Sequence, residues 1–433
     1  MRILILADEV WNDYIFGNGV LTNWFTNFDA EFAEIYLSPG VPNNKICDKY
    51  FQITDRQMLS SVVGKRAGGI VVKENSNSQM MVQHQGIYGY LKKLSTTIHT
   101  PMMMIRDAIW CAGRYDKIAI KNFIDNFDPD IIFSSRMATP KFLRFERIIH
   151  SVCNKPMLAF TGDNEIGFDC YSISPLFWLR RWYTTKMFER NKDIYSHYFA
   201  HSKSQSLLYN RKYGIATSVL YKCTSNSQPE HIHAVNQPIN IVYAGRLYCN
   251  RWKTLAALGR ALKQINRDGQ KIVLNIYTLD TLTEAQKRVL NENFSIYVKG
   301  GVTPKELIEV YNHTDIALHV ESYDKANKLA TKYSFSTKII DLLSSGCAVM
   351  AICWEEQTGY QYLKEQDAAI CIPNYDSIEY ELKELVKNPY IIREYAGKAL
   401  ACAVKNHSRE AVHRQLTGIF QLVINRNRRI KEL

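Results

Sequence analysis

Three small hydroxyl residues and a lysine stand in front of an apolar segment in the last quarter of the chain. In the run YSFSTKIIDLLSSG these are Ser334, Ser336, Thr337 and Lys338, and the spacing after them predicts a helix that ends at Gly346. A helix N-terminus presents unpaired N–H groups and partial positive charge, to which the lysine adds a full charge. This combination is typical of a phosphate-binding site, although an ordinary helix capped by Ser or Thr has the same residues.

Basic residues also stand at the start of a second predicted helix. Arg251 and Lys253 come shortly after a predicted strand that ends in VYAG. Because ligand sites of open α/β sheets form at the carboxyl ends of the strands, we expect both side chains to meet Lys338 there. The planar arginine fork can donate two hydrogen bonds to one phosphate. The pattern favours phosphate binding, with solvated surface charges as the alternative.

Two features of the first half could also contribute to a site. Gly17 and Gly19, in the FGNG that follows the first predicted strand, would let a phosphate or an acceptor approach the backbone closely. This short pattern lacks the third glycine of the dinucleotide-binding motif. Asp163 closes a later predicted strand, where it could accept a proton from a hydroxyl group. An Asx-turn explains the same aspartate equally well.

Metal-binding patterns are weak. The ten cysteines include no CxxC pair, which argues against zinc ribbons and thioredoxin-like motifs. Two histidine pairs lack acidic or cysteine residues nearby, whereas a metal needs three or four ligands. The Asp-Pro-Asp run at residues 128–130 is predicted to be a turn that leads into a strand. We therefore predict no metal and no bound cofactor.

The charge of the chain indicates an anionic partner. Among 433 residues the net charge is +12, which suits nucleic acid, an anionic membrane face or a phosphate-bearing substrate. We find no nucleic-acid-binding motif and predict no such partner. The segment PLFWLRRWYTTKMFERNK, residues 175–192, mixes basic and aromatic residues, as at a membrane interface or in a helix with a buried aromatic face. No signal peptide or bilayer-spanning stretch is evident, so we expect a cytoplasmic protein.

Alternating strands and helices define the organisation of the chain. Such repeated units predict doubly wound α/β domains with parallel sheets. We predict a first domain over residues 1–223, a polar linker over 224–238 and a second domain over 239–404. Residues 405–433 are expected to form a helical tail that packs back on the first domain.

Three segments of the second half resemble the family 4 glycosyltransferases, whose GT-B fold sets two Rossmann-like domains across a cleft. VYAGRLYCNRWKTLAALGRAL resembles the strand–loop–helix in which basic residues hold the donor diphosphate, and its Arg246 matches a common Gly-Arg. VKGGVTPKELIEVYNHTDIAL resembles the loop around the nucleotide base, so Gly300, Gly301 and Val302 would form its wall. FSTKIIDLLSSGCAVMAI resembles the segment that carries E-x7-E, with Asp341 at the second acidic position.

The sequence departs from the family at two places. Tyr333 stands where the first glutamate belongs, and Thr161-Gly162-Asp163 stands where a catalytic histidine is often found. The resemblance thus implies that Asp163 takes over that role, that Asp341 accepts from the ribose hydroxyls, and that the FSTK residues carry the donor contacts.

The resemblance implies a glycosyltransferase that passes a sugar from a nucleotide-diphosphate sugar to a glycan or lipid-linked acceptor, with retention of configuration. The implied setting is cell-surface polysaccharide synthesis at the inner face of the cytoplasmic membrane. Two alternatives remain open: a non-catalytic nucleotide- or sugar-binding subunit, or a nucleotide-sugar epimerase of the same fold.

Overall fold

The computed structural model describes residues 1–14, 19–64, 66–72, 100–135, 137–224, 234–291 and 295–432. The chain divides into two compact units, one of residues 1–220 with 413–433 and the other of residues 221–412. The second unit therefore begins at residue 221, three residues before the predicted linker starts at 224. Residues 225–233 of that linker lie outside the described residues.

The first unit is built on a sheet whose described strands have the order β4-β3-β2-β1-β5-β6-β7-β8. The strands are β1 (Arg2–Ala7), β2 (Glu31–Tyr36), β3 (Lys49–Gln52), β4 (Ile70–Val72), β5 (Ile131–Ser135), β6 (Met157–Thr161), β7 (Tyr195–Ala200) and β8 (Thr217–Val219). The neighbours pair in parallel except β4, which runs antiparallel to β3. The order reverses between β1 and β5, where doubly wound sheets place their ligand sites.

Helices cover both faces of this sheet. They are α1 (Gly19–Phe25), α2 (Asp55–Val63), α3 (residues 100–112), α4 (Lys117–Phe127), α5 (Pro140–Val152), α6 (Pro175–Asn191) and α7 (Lys203–Tyr213). On one face, Leu4 and Ile132 belong to a core that includes Ile124 of α4 and Phe145 of α5. On the other face, Phe133 packs edge-on against Trp24 of α1. Successive residues of a strand point to opposite faces, so an apolar run such as RILILA supplies both cores.

The second unit contains a parallel sheet whose described strands have the order β11-β10-β9-β12-β13-β14. The strands are β9 (Ile239–Ala244), β10 (Ile272–Tyr277), β11 (Ile296–Lys299), β12 (Ile316–Val320), β13 (Ala348–Ile352) and β14 (Ile370–Ile372). Here the order reverses between β9 and β12. The carboxyl ends of these two strands therefore mark the expected ligand site.

Helices also pack on both faces of the second sheet. They are α8 (Arg251–Ile265), α9 (Glu284–Asn291), α10 (Pro304–Asn312), α11 (Lys325–Thr331), α12 (Lys338–Leu343), α13 (Thr358–Glu365), α14 (Ile378–Lys387) and α15 (Tyr390–His407). Ile241 shares one core with Leu258 of α8, and its neighbour Val242 shares the opposite core with Ile339 of α12. The predicted doubly wound α/β architecture is confirmed.

The last helix, α16 (Arg409–Glu432), brings the chain back to the first unit. Phe420 on this helix is fully buried against Phe28, Phe133 and Phe199. His413 lies against the ring of Phe28, with its Nε2 2.8 Å from the carbonyl oxygen of Trp24. The C-terminal segment is thus part of the core of the first unit.

Candidate active site

The carboxyl edge of the second sheet brings together residues that are distant in sequence. Gly245 follows β9, Glu321 follows β12, Arg251 begins α8 and Lys338 begins α12. The Lys338 ammonium lies 3.4 Å from the carbonyl oxygen of Ala244. A Cβ atom on Gly245 would lie only 2.1 Å from the same ammonium, so the lysine occupies the space that the glycine leaves open. These residues surround the point where the strand order reverses.

Arg251 is held by a carboxylate. Its Nε donates to Glu321 Oε2 at 3.0 Å and its Nη2 donates to Glu321 Oε1 at 2.6 Å. The side chains are 12% and 3% exposed. Burial opposes the charge of the guanidinium, but the adjacent Glu321 outweighs this and raises the pKa of Arg251. Arg251 therefore stays a cation, with the ring of Tyr248 4.6 Å away.

The charged form of Lys338 is less strongly stabilised by its surroundings than the charged form of Arg251. Although the residue is solvent-exposed, partial burial of the ammonium and the nearby Arg251 lower its pKa. Glu321 and Asp341 act in the opposite direction. Two cations at the same edge of the sheet form an environment that favours an anion beside them.

The other charged residues predicted at the donor site are in ion pairs at the same edge. Arg246 Nη1 lies 2.8 Å from Asp280, and Lys253 Nζ lies 3.0 Å from Asp324. Asp341, expected to receive ribose hydroxyls, accepts the ammonium of Lys222 on both oxygens, at 2.6 and 2.7 Å. A ligand would have to share these charged side chains with their present ion-pair partners or displace those partners.

The hydroxyl residues before Lys338 do not form the predicted capped helix start. Thr337 has helical backbone angles (φ −58°, ψ −22°), whereas a capping residue is extended, with its side chain turned toward the first N–H groups. The helix also ends at Leu343 and not at Gly346. The reason is local, because the hydroxyls of Ser344 and Ser345 bind carbonyl oxygens of the last turn.

The backbone carbonyls of Ser334 and Ser336 both accept hydrogen bonds. The Ser334 carbonyl accepts from Gln357 Nε2 at 3.2 Å, and the Ser336 carbonyl accepts the Ile339 N–H at 3.0 Å. The FSTK run is therefore a turn that positions Lys338. Anion binding at this edge would depend on side-chain charge, because a helix as short as α12 has little macrodipole to contribute.

The glycine positions predicted to lie near a ligand differ in their surroundings. A Cβ on Gly301 would lie 2.0 Å from Leu279 Cδ2, so this loop packs against an exposed leucine, with Val302 half-buried beside it. Around Gly19 no described atom lies within 4 Å of such a Cβ. Gly17 lies outside the described residues.

In the first unit, Asp163 lies two residues beyond the end of β6. Its side chain is exposed, and its backbone carbonyl accepts from Gln205 Nε2 at 2.9 Å. His201 directly follows the neighbouring strand β7, and its Nδ1 lies 3.1 Å from the carbonyl oxygen of Gly162. Asp163 thus has a histidine close to its own turn, which the sequence did not indicate.

Two charged pairs escaped the sequence analysis. Glu321, the partner of Arg251, directly follows β12, and an acid at the carboxyl end of a strand is a signal that the sequence does contain. In the first unit, the buried Lys141 is ion-paired with Asp8 at the carboxyl end of β1. Lys141 lies in a helical pattern whose apolar neighbours conceal it, so the sequence gives no comparable signal.

Two basic residues of the segment 175–192 bind other groups of the first unit. Arg180 pairs with Asp107 at 2.7 Å, and Arg181 donates to the Gly167 carbonyl at 2.8 Å.

The exposed large apolar side chains of α6 and the preceding loop are Phe168, Tyr171, Ile173, Leu176, Leu179, Trp182 and Tyr183. Within the described part of the chain, no helix is long and apolar enough to span a bilayer.

Comparison with known proteins agrees with this architecture. Residues 241–418 match the family model described as glycosyl transferase-like. Sucrose-phosphate synthase from Thermosynechococcus elongatus has a similar structure, with a TM-score of 0.59 at 12% identity over 98% of this chain and 100% of that one. A structure described as trehalose-6-phosphate from E. coli bound with UDP-2-fluoro glucose gives 0.54 at 11% identity, over 97% and 99%. No curated protein matches the sequence.

TarM is similar over a smaller share of its own length. Its TM-score is 0.52 at 12% identity, with 71% of this chain and 58% of TarM covered. Taken together, the matches define the class: the chain has the GT-B fold. Its residues 241–418 match a glycosyl transferase-like family model, and the predicted resemblance to GT-B glycosyltransferases is confirmed.

Proposed function

We propose that this protein transfers a sugar from a nucleotide-diphosphate sugar to a glycan or lipid-linked acceptor. The observation that carries the proposal is the position of Lys338 beside Gly245, with Arg251 at the start of α8, at the carboxyl edge of a sheet whose segment matches a glycosyl transferase-like family. Cleavage of the bond between sugar and diphosphate leaves negative charge on the diphosphate. Fixed cations aimed at that charge stabilise the transition state.

The donor is proposed to bind in the second unit. Its diphosphate would lie against Lys338 and Arg251, and its base against Gly301 and Val302. Two similar structures support a nucleotide ligand, since the E. coli structure contains UDP-2-fluoro glucose and a structure of a mutant of S. aureus TarM contains UDP. Since the two cations can balance the diphosphate charge, we propose a reaction that is independent of metal.

The acceptor is proposed to bind in the first unit, where Asp163 would orient or deprotonate its hydroxyl group. The family resemblance supports retention of configuration, in which the leaving phosphate helps to deprotonate the acceptor. That structure of the TarM mutant also contains alpha-GlcNAc-glycerol, which supports an acceptor that carries a glycan.

We also propose that the exposed apolar surface of α6 and the loop before it contacts an anionic membrane, attracted by the net charge of +12. Ile173 and Leu179 are its clearest exposed aliphatic residues. The variant Ile173→Ser/Leu179→Ser should cosediment less with vesicles that contain phosphatidylglycerol. Leu207→Ser, at a similarly exposed leucine elsewhere on the unit, should behave like the wild type. Equal loss in both variants would contradict a specific surface.

A non-catalytic binding subunit is the second candidate. It is favoured by the internal ion pairs, because Arg246, Lys253 and Asp341 are each engaged by another side chain. Such a protein would bind the nucleotide and release no product from the nucleotide sugar.

The test is a thermal-shift panel of UDP, GDP, ADP and CMP with their common sugar conjugates, in EDTA. We expect one nucleotide to raise the melting temperature of the wild type, and Arg251→Ala and Lys338→Ala to abolish the rise. The conjugate identified in this way is then incubated with the enzyme and acceptor mixtures, and the released nucleotide is measured. Binding without release would support the binding subunit, and an unshifted panel would contradict both proposals.

A further inference from the structure

Glu321 is fixed at both its backbone and its side chain. Its N–H donates to the Ile352 carbonyl at 3.3 Å, and its own carbonyl accepts the Thr254 hydroxyl at 2.7 Å. Its two carboxylate oxygens accept from two nitrogens of Arg251. The carboxylate is therefore a rigid support that joins β12 to the first turn of α8.

This support determines which way the guanidinium faces. A carboxylate that takes the edge formed by Nε and Nη2 turns Nη1 in the opposite direction, because the guanidinium is planar. The ring of Tyr248, 4.6 Å from Arg251 Cζ, restricts rotation of the same plane. The arginine is thus oriented before any ligand arrives, which removes part of the entropy cost of binding.

The charge of Glu321 is unfavourable for the function of the site. A carboxylate beside a phosphate-binding site repels the phosphate, so by charge alone Glu321 would weaken donor binding. Electrostatic attraction of the donor cannot explain why a carboxylate is buried next to Arg251. Orientation of the Arg251 side chain does explain it.

We propose that Glu321 is a positioning residue, which holds Arg251 so that its opposite edge and the Lys338 ammonium receive one diphosphate together. Glu321 itself does not contact the donor. The inference rests on the proposed function and adds the residue that organises its anion site.

Charge and position predict opposite effects for Glu321→Gln. This variant removes a negative charge, so an electrostatic role alone predicts tighter binding of an anion. A positioning role predicts weaker binding, because the amide presents only one acceptor to the two donors of Arg251. The sign of the change therefore separates the two roles.

The experiment measures the Kd of inorganic pyrophosphate by calorimetry, with EDTA and the full chain. We expect Glu321→Gln to raise the Kd about tenfold, the effect of a charged hydrogen bond. In an Arg251→Met background the same substitution should cause no further loss of affinity, because the residue that Glu321 positions is gone and only the repulsive charge is removed. An unchanged or lower Kd in Glu321→Gln, or an equal loss in the Arg251→Met background, would overturn the proposal.

Two further variants keep the test decisive. If Glu321→Gln does not fold, Glu321→Asp retains the charge but is one methylene short of Arg251, and the same weakening is expected. Thr314→Val removes a hydroxyl bond to the Val310 carbonyl at 2.7 Å, just before the amino end of β12, and should leave the Kd unchanged; an equal loss would indicate general packing and overturn the proposal. If Arg251→Met and Lys338→Ala bind pyrophosphate as the wild type does, or the wild type does not bind it, the phosphate site itself fails, and the proposed function with it.

Discussion

Lys338 and Arg251 differ in how firmly the protein fixes their charge. Partial burial and Arg251 lower the pKa of Lys338, whereas Glu321 raises the pKa of Arg251. Arg246 also lowers the pKa of Lys338, and Asp341 opposes it. Of the two cations, Lys338 is therefore the one whose charge changes first as the pH rises.

We expect this difference to appear as a pH dependence of binding. A bound diphosphate stabilises the ammonium, so affinity is highest below the pKa of Lys338 and falls as the pH rises through it. The Kd of the preferred nucleoside diphosphate should already increase as the pH rises toward about 10.4, the ordinary pKa of lysine. Lys338→Arg keeps its charge over this range and should lose less affinity. Identical profiles for the two proteins would show that Lys338 does not titrate at the site.

Gly245→Ala should weaken ligand binding with little effect on the stability of the fold. Its Cβ would lie 2.1 Å from the Lys338 ammonium, which is the mobile end of a long side chain and can move away. We expect the free energy of unfolding to change by about 0.5 kcal/mol or less. The Kd for the nucleoside diphosphate should rise about tenfold, because the displaced lysine loses its contact. In a Lys338→Ala background Gly245→Ala should have no further effect on the Kd, and a large extra loss there would contradict this explanation.

At the scale of elements, the loop between β9 and α8 has a strained backbone. Cys249 and Asn250 have left-handed φ values of 56° and 57°, a region that asparagine tolerates but that is unfavourable for cysteine. The loop is held by Asp280, which accepts the Leu247 N–H at 2.5 Å, and by Asp324, which accepts Asn250 Nδ2 at 2.7 Å. These contacts keep the start of α8, and with it Arg251, in place.

This strain predicts a difference between two substitutions at Cys249. Cys249→Gly should be more stable than Cys249→Ala by about 1 kcal/mol, because only glycine adopts a left-handed conformation without cost. Urea denaturation of the two variants measures the difference. Equal stabilities, or a more stable alanine variant, would mean that the backbone at this position is not strained.

The elements could be predicted from the sequence to the extent that their signals are local. Apolar strands such as RILILA and INIVYA bury both faces, so they stand out in the sequence as short continuous apolar runs. The short strands β3, β4 and β8 were not predicted, because three or four residues are too few to show a period. The short length of α12 depends on how two serine hydroxyls are used, which the apolar pattern of the segment conceals.

The site was only partly predictable for a related reason. A basic residue at a helix start is visible in sequence, so Arg251 and Lys338 could be proposed and are found at one edge. Their ion partners lie far along the chain: Glu321 is 70 residues from Arg251, and Lys222 is 119 residues from Asp341. Such pairs depend on the order of the strands and not on any local pattern.

At the scale of the whole molecule, the chain closes its first unit with its last helix. Phe420 is fully buried there, whereas Leu422 on the same helix is 64% exposed. Phe420→Ala should lower the free energy of unfolding of the first unit by about 3–5 kcal/mol, because it leaves a cavity among aromatic rings. Leu422→Ala should change it by about 0.5 kcal/mol or less. Equal effects in urea denaturation would contradict the packing of α16 described above.

The central claim is that Lys338 and Arg251 bind the donor diphosphate beside Gly245. Its most direct test is a crystal structure of the protein with the nucleoside diphosphate that gives the largest thermal shift, grown without metal. We expect phosphate oxygens within hydrogen-bond distance of Lys338 Nζ and of the Arg251 guanidinium, with Glu321 still paired to Arg251. A diphosphate bound elsewhere, with Lys338 still directed at the Ala244 carbonyl, would contradict the claim.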